Sequence, residues 1–317
     1  MEQPGLDQFL PAASSWFEQT LGQPTRIQER SWEALKSGAP ALISAPTGSG
    51  KTLAAFFSIL DDLFRKSLAG NLEQESTVLY ISPLKALSND IEKNLRIPLD
   101  GIARELAARG TPLSSPIEVM VRTGDTTPAE RARMMKQKPH IIVTTPESFY
   151  VMLTSERGRS MLSTVDTLIV DEIHAIVSSR RGSHLALSIE RLAALTRKPL
   201  QRIGISATVK PLDRVAEFLG AKKEVRILDE GHNRPMDVKM ITPDVALDAV
   251  MTQEGWAQIH EKLIELMKSA RTTLIFVNNR RLCERLARQL GDLIGQDLVG
   301  AHHGSLEHDR RRNAEQA

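Results

Sequence analysis

The sequence predicts an α/β fold: a mainly parallel sheet with helices on both faces, followed by the start of a second unit of the same kind. Seven short runs rich in Val, Ile and Leu recur along the first 230 residues with little polar alternation, the signature of strands buried on both faces. Between them lie stretches with apolar residues at three- and four-residue steps, which give helices one apolar side. Strands that alternate with such helices need crossover connections, and these cover both faces of a parallel sheet.

The elements follow in order. A strand at Ala41–Ala45 precedes a helix whose apolar face is Leu53, Phe56, Phe57, Leu60, Leu63, Phe64 and Leu68, with Gly70 and Asn71 as its stop. Strands follow at Thr77–Ser82, Glu118–Arg122, Ile141–Thr145 and Thr167–Asp171. Leu185, Ile189, Leu192 and Leu195 then repeat the helical spacing, before strands at Arg202–Ala207 and Val225–Leu228. Turn formers concentrate in Asp229–Pro235 and mark a boundary, giving a first domain over residues 1–230. Residues 231–317 begin a new cycle. Strands are expected at Asp237–Ile241, Thr273–Val277 and Asp297–His302, and helices at Trp256–Ser269 and Leu282–Leu290. An α/β layer of that size buries too little surface to stand comfortably alone, so the second lobe reads as incomplete.

Composition narrows the function classes. The 317 residues carry 41 Lys and Arg against 39 Asp and Glu, a net charge of +2, which excludes a histone-like or basic-tail grip on a polyanion and leaves room only for a local groove. A single cysteine, Cys283, excludes an internal disulfide and a multi-cysteine zinc site, and fits a reducing, cytoplasmic setting. The longest apolar run, Leu53–Leu60, is broken by Ser58 and closed by Asp61 and Asp62, far short of the about 18 residues a membrane span needs. The opening Met1-Glu2-Gln3-Pro4 lacks the basic and apolar regions of a signal peptide, so no membrane partner is expected. With 3 Trp, 2 Tyr and 8 Phe, the chain is also poor in the rings that a base-stacking surface requires.

The strongest chemical signal is Ala45-Pro46-Thr47-Gly48-Ser49-Gly50-Lys51-Thr52, directly after a strand and directly before a helix. Glycines let backbone N–H groups curl around phosphate oxygens, and the helix N-terminus adds its positive end. Lys51 can reach the outer phosphates and the Thr52 hydroxyl can ligate Mg²⁺, so ATP and Mg²⁺ are the expected cofactors. Ala45 stands where the strict pattern has its first glycine. The strand ending at Asp171-Glu172-Ile173-His174 delivers two adjacent acids whose side chains point opposite ways. Asp171 then suits a metal through water, and Glu172 suits the orientation and deprotonation of an attacking water. Ser206-Ala207-Thr208 ends another buried strand with hydroxyls able to bridge the acids to whatever lies across the cleft. In Pro24-Thr25-Arg26-Ile27-Gln28, the Gln28 amide offers the donor and acceptor that adenine's N6 and N7 edge needs.

These pieces, in this order, resemble the superfamily-2 helicases, which are RecA-like P-loop NTPases. Ser82-Pro83-Leu84-Lys85-Ala86-Leu87, Arg122-Thr123-Gly124-Asp125 and Thr145-Pro146-Glu147-Ser148 are similar to that family's strand-end loops that grip a nucleic-acid backbone. Each follows a strand's carboxyl end, where open α/β sheets bind ligands. Leu274–Arg280 and His302-His303-Gly304-Ser305-Leu306 resemble the opening motifs of a second RecA-like lobe. Asp-Glu-Ile-His followed by Ser179-Arg180-Arg181-Gly182-Ser183-His184, together with Trp16-Phe17 and Gly22-Gln23-Pro24-Thr25, narrows the resemblance to the Lhr (large helicase-related) family.

The resemblance implies ATP-driven 3′→5′ translocation on single-stranded DNA, unwinding of DNA or RNA–DNA duplexes, and a place in DNA repair. It implies catalytic roles for Lys51, Asp171, Glu172, His174, Ser206 and Thr208. Nucleotide contacts fall on Thr25, Arg26, Gln28 and Pro46–Thr52, and the Mg²⁺ site on Thr52 and Asp171. The nucleic-acid contacts it implies are Pro83, Lys85, Thr123, Gly124, Thr145, Pro146, Glu147, Arg180, Arg181, Asn278, Arg280, His303 and Gly304. The family's lobe-coupling motif and its arginine-finger motif do not occur before Ala317. Because such a finger is worth about 10³–10⁵ in rate, the chain is expected to bind ATP but to need the rest of the same polypeptide for stimulated hydrolysis. Two other readings stay open from the residues: a P-loop ATPase acting on protein or membrane cargo, and a nucleotide-gated nucleic-acid-binding module without turnover.

Overall fold

The computed structural model describes residues 5–83, 85–208, 210–221, 223–231, 237–245 and 251–303, with only the backbone of residues 85–90 and 93. Strands β1 (Ala41–Ser44), β2 (Val78–Ile81), β3 (Val119–Arg122), β4 (Ile141–Thr144), β5 (Thr167–Val170), β6 (Gln201–Ser206) and β7 (Arg226–Asp229) form one sheet in the order β3-β4-β2-β5-β6-β1-β7. Every pairing in it is parallel. All seven expected strands form, within two residues of the expected bounds.

The first four helices are α1 (Pro11–Leu21), α2 (Arg26–Leu35), α3 (Lys51–Leu68) and α4 (Lys85–Ala108). Then come α5 (Pro128–Lys136), α6 (Pro146–Thr154), α7 (Glu156–Leu162), α8 (His174–Val177), α9 (Arg180–Leu195) and α10 (Leu212–Gly220). Alternate strand residues feed two separate cores. Ala41, Ile43, Tyr80, Ile141, Val143, Ile169, Ile203 and Ile205 pack with the first four helices, while Leu42, Leu79, Ile81, Ile142, Leu168 and Val170 pack with the later six. The strands read as continuous apolar runs because both of their faces are buried.

The first core is closed by aromatic rings. Phe57 on α3 meets Phe9, Phe17 and Trp32 at centroid distances of 4.7, 5.1 and 5.4 Å, and α1 lies against α4 where Gly101 leaves room for the Trp16 indole. The rings of Phe9, Trp16, Phe17, Trp32 and Phe57 are thus spent in the interior. Helix α3, which carries the phosphate loop on its N-terminus, is anchored by this cluster.

The chain divides into two compact units, Met1–Arg234 and Pro235–Ala317. In the second, α11 (Gln253–Ser269) and α12 (Arg280–Ile294) form where helices are expected. The three expected strands do not: residues 237–241 and 273–277 are irregular, and 296–298 make a short 3₁₀ turn. A strand is held by the hydrogen bonds of a neighbour, and these segments do not pair among the described residues. Met240 and Phe276 are accordingly 95% and 90% exposed. No described helix is long and apolar enough to cross a membrane.

Phe57→Ala should destabilise the first unit by about 3–5 kcal/mol, the usual cost of emptying a buried aromatic site. Urea unfolding followed by the fluorescence of Trp16 and Trp32, in a Trp256→Phe background, measures it.

Candidate nucleotide and nucleic-acid site

The phosphate loop leaves β1 at Ala45, whose amide still donates to Ser206 O of β6 at 3.3 Å. Ala45 therefore continues the strand's extended backbone, and the position makes no demand for glycine. The demand falls on Gly48 and Gly50, at φ 81° and 82°. At Gly50 a side chain is excluded twice, since its Cβ would stand 2.5 Å from Gln28 Nε2. The buried Lys51 ammonium turns back over the loop and donates to Pro46 O at 3.3 Å. Ser49 Oγ is buried without a partner. A buried cation that meets a neutral carbonyl, an orphaned hydroxyl and a helix N-terminus free of acidic residues make a cradle that suits a polyphosphate.

Thr25 and Gln28 cap α2 reciprocally, with Thr25 N donating to Gln28 Oε1 at 2.8 Å. From that cap Gln28 Nε2 reaches Gly50 O at 3.4 Å and Thr25 Oγ1 reaches Ser49 O at 3.1 Å. The Gln28 amide expected to read an adenine edge thus also helps to hold the phosphate loop. Arg26 projects outward, 74% exposed, at 3.9 Å from Glu230, which Arg30 holds at 2.6 Å.

Strand β6 lies between β1 and β5, so the phosphate loop and the acid pair leave the same rim one strand apart. Asp171 is buried and its carboxylate is fixed from both sides. Tyr80 Oη donates to Oδ2, and Glu172 N donates to Oδ1 at 2.8 Å. Burial raises the Asp171 pKa, while the Tyr80 and backbone hydrogen bonds and Lys51 hold it down in part. Burial, and then the Asp171 charge, push the Tyr80 phenol well up, so it stays a donor. Glu172 sits at φ 44°, a left-handed backbone that costs a non-glycine residue about 1–3 kcal/mol and recurs at functional sites. Its carboxylate lies 3.4 Å from His174 Nε2, and His174 Nδ1 accepts from Ala207 N at 3.3 Å. Between the two expected hydroxyl residues, Ser206 and Thr208, the Ala207 backbone makes this contact with His174, while Ser206 Oγ donates to Ala207 O at 2.8 Å. The Lys51–Thr52 turn and Glu172 share the wall of one cavity of about 400 Å³ with Trp16, Phe56, Leu95 and Pro98.

The three strand-end loops stand on the same rim, after β2, β3 and β4. Thr123 N donates to Thr126 Oγ1 at 2.8 Å, and Arg131 Nη2 reaches Gly124 O at 3.4 Å. Thr145 caps α6, with Pro146 as its first helical residue and Ser148 N donating to Thr145 Oγ1 at 3.4 Å. Lys85 begins α4. Arg180 is exposed at the start of α9, and Arg181 beside it binds Glu147 Oε1 at 2.7 Å and Pro83 O at 3.0 Å.

The sequence profile of the DEAD/DEAH box helicases matches residues 25–217, the span that holds this whole rim. The chain belongs to the DEAD/DEAH box helicase family. Its relatives include the Lhr helicase/uracil glycosylase of Escherichia coli (strain K12), 41% identical over 310 residues that cover 92% of this chain and 20% of that protein. The ATP-dependent helicase Lhr-Core of Methanothermobacter thermautotrophicus is 42% identical over 315 residues, covering 96% and 36%. The solved structure of Mycobacterium smegmatis helicase Lhr bound to ssDNA and AMP-PNP is 40% identical with a TM-score of 0.84, covering 98% of this chain and 40% of that one. The DEAD-box helicase Mss116, at 17% identity and a TM-score of 0.72, shares the fold. The resemblance to the Lhr proteins thus extends over nearly the whole chain, which spans about a fifth to two fifths of the length of these relatives.

Within this chain the residues expected to act from the second unit are placed less fully. Asn278 and Arg280 are exposed at the start of α12, where the neighbouring Asn279 is the cap and accepts from Leu282 N at 2.9 Å. His303 pairs with Glu284 at 2.6 Å, and Gly304 lies outside the described residues. Sequence reasoning missed Tyr80, which reads as an ordinary buried strand residue until β2 is placed beside β5. It also missed Arg131, whose guanidinium stands close enough to Arg122 to help burial lower that residue's pKa.

Tyr80→Phe should cost about 1–3 kcal/mol at neutral pH by leaving a buried carboxylate oxygen without its donor. Asp171 has a folded pKa above its unfolded value, so its charge weakens the fold at pH above the folded pKa and ceases to do so below the unfolded one. The variant raises the folded value further. Its deficit should therefore shrink as pH falls through that range, which denaturant unfolding at stepped pH reads directly.

Proposed function

We propose that this chain forms the ATP-binding part of an ATP-driven nucleic-acid helicase that moves 3′→5′ on single-stranded DNA and opens DNA or RNA–DNA duplexes in DNA repair. The observation that carries the reading is the shared rim: phosphate loop, acid pair and three strand-end loops all leave the carboxyl ends of one parallel sheet. The ligands of the Mycobacterium smegmatis Lhr structure, ssDNA and AMP-PNP, support both halves of it. An ATPase acting on other cargo would share the phosphate loop and the acids but would have no use for the strand-end loops.

Magnesium-bound ATP supplies the phosphoanhydride to be cleaved and the charge that steadies its leaving group. The chain's own residues divide the remaining work. Lys51 and the backbone N–H groups of Gly48–Thr52 hold phosphate oxygens, and Thr52 and Asp171 hold the metal. The hydrogen bonds from Tyr80 and Glu172 N orient Asp171 for this task and oppose the upward pull of burial on its pKa. Glu172 takes the proton of the attacking water, steadied by His174. Because His174 also accepts from Ala207 N, a change at the acids reaches the end of β6. Thr25, Arg26 and Gln28 flank the nucleotide's base. Lys85, Thr123, Gly124, Thr145 and Arg180 meet phosphates of the nucleic acid, and Asn278, Arg280 and His303 are the nucleic-acid contacts of the second unit taken by itself. Residues 235–317 act as the start of a second RecA-like lobe.

Lys51→Ala should abolish ATP binding and turnover, while Glu172→Gln should bind ATP as tightly as wild type and hydrolyse it at least about 10²-fold more slowly. Titration with a fluorescent ATP analogue and single-turnover assays separate the two; an amide variant that no longer binds ATP contradicts the roles given to Glu172 and Asp171, and undiminished turnover in Lys51→Ala contradicts that of Lys51. Single-stranded DNA binding should weaken as salt rises, and Lys85→Ala should flatten the slope of log affinity against log salt by about 0.7. A slope and affinity equal to wild type would assign these loops to the protein interior.

A further inference from the structure

Arg181 joins three segments that follow neighbouring strands. Its Nε donates to Glu147 Oε1 at 2.7 Å, in the first turn of α6 directly after β4, and its Nη2 donates to Pro83 O at 3.0 Å, in the loop after β2. Arg181 itself stands at the start of α9, on the stretch that follows β5. Strands β4, β2 and β5 are consecutive in the sheet, so one guanidinium spans the rim from end to end of this group. The Arg181 and Glu147 side chains are 49% and 60% exposed, and an ion pair so open contributes little to stability. Burial alone would raise the Glu147 carboxyl, but the Arg181 hydrogen bond, a backbone hydrogen bond, the Arg181 charge and the Thr145 hydroxyl together hold it below the usual carboxylate range, so the carboxylate stays charged at neutral pH.

Two further facts locate the clasp functionally. Glu147 is an anion in a loop read as meeting phosphates, where an unpaired carboxylate would repel the ligand. Ser179 fixes the first turn of α9 by accepting from Gly182 N at 3.2 Å, and the chain runs back from there through α8 to His174 and the acid pair. Arg181 thus stands seven residues after His174 in the chain, and its guanidinium contacts the segments after β2 and β4.

We infer that Arg181 is a positioning residue: it uses both edges of its guanidinium to hold the loops after β2 and β4 at a fixed spacing for one nucleic-acid backbone, and it does not itself bind phosphate. The inference rests on the proposed nucleic-acid reading of this rim. It makes a distinction that charge counting cannot. A phosphate contact needs only a positive charge, which lysine supplies, whereas two acceptors in fixed directions need the planar fork of arginine.

The test uses charge-preserving variants of the 317-residue chain, Arg181→Lys and Glu147→Asp, with fluorescent oligo-dT as the probe. Positioning predicts that Arg181→Lys weakens oligo-dT binding about tenfold and Glu147→Asp about threefold, since one and then the other hydrogen bond of the clasp is lost. The slope of log affinity against log salt stays that of wild type in both, because no phosphate contact is removed. The double variant binds no more weakly than Arg181→Lys alone, as two changes to one clasp do not add. Affinity for a fluorescent ATP analogue and the thermal midpoint remain those of wild type, which a general loss of structure would not allow. Arg181→Lys binding oligo-dT within about twofold of wild type would overturn the inference, as would additive losses in the double variant. A wild-type chain that does not bind oligo-dT would remove the nucleic-acid reading and this inference with it.

Discussion

The parallel pairing of β6 with β1 on one side and β5 on the other is the constraint on which the site depends. The phosphate loop and the acid pair lie more than a hundred residues apart in the chain, and each is an ordinary turn by itself. Inserted between them, β6 sets their separation at two strand spacings, or about 9–10 Å, and turns both toward the same rim. Its own end closes the gap: Ser206 O receives the Ala45 amide, Ile205 O receives the Ile173 amide, and Ala207 N reaches His174. The strand is therefore a strut between nucleotide and acids as well as a layer of the core.

Burial at this rim is arranged so that each charge is answered. Lys51 and Asp171 are both nearly inaccessible, which costs several kcal/mol per isolated ion, and neither is isolated. Asp171 has the Tyr80 hydroxyl, an amide and the Lys51 charge close by. Tyr80 is in turn stacked on Phe56 of α3 at 5.0 Å, so the phosphate-loop helix also holds the donor that orients the acid. The strained backbone at Glu172 belongs to the same arrangement. Asp171 Oδ1 accepts from the Glu172 amide and helps to hold that residue in its left-handed conformation. Away from the nucleotide side, the exposed Arg181 clasp links segments that follow three consecutive strands.

The two units differ in how far local pattern is enough. In the first, runs such as Leu42-Ile43 and Ile141-Ile142-Val143 meet neighbours on both sides and form strands where the pattern predicts them. In the second, Leu274-Ile275-Phe276-Val277 has an equally strong strand pattern and stays irregular, while α11 and α12 form as expected. A helix satisfies its backbone within its own segment, whereas a strand needs a partner.

From its residues alone, the sequence determined the class of fold, the seven strands of the first unit, the phosphate loop and the acid pair, because these depend on patterns within a few residues of one another. It also located the strand-end loops that carry Pro83, Thr123 and Thr145. Tertiary structure decided the rest: that β2 lies beside β5, so that Tyr80 meets Asp171 from 91 residues away, and that Gln28 locks Gly50 from 22 residues away. It decided that the Ala207 backbone meets His174, and that Arg181 binds the Pro83 carbonyl 98 residues earlier in the chain. The physical reason is the same in each case. A hydrogen bond between distant residues depends on strand order and register, which are set by how the apolar faces pack against one another, and no short pattern in the sequence encodes that choice.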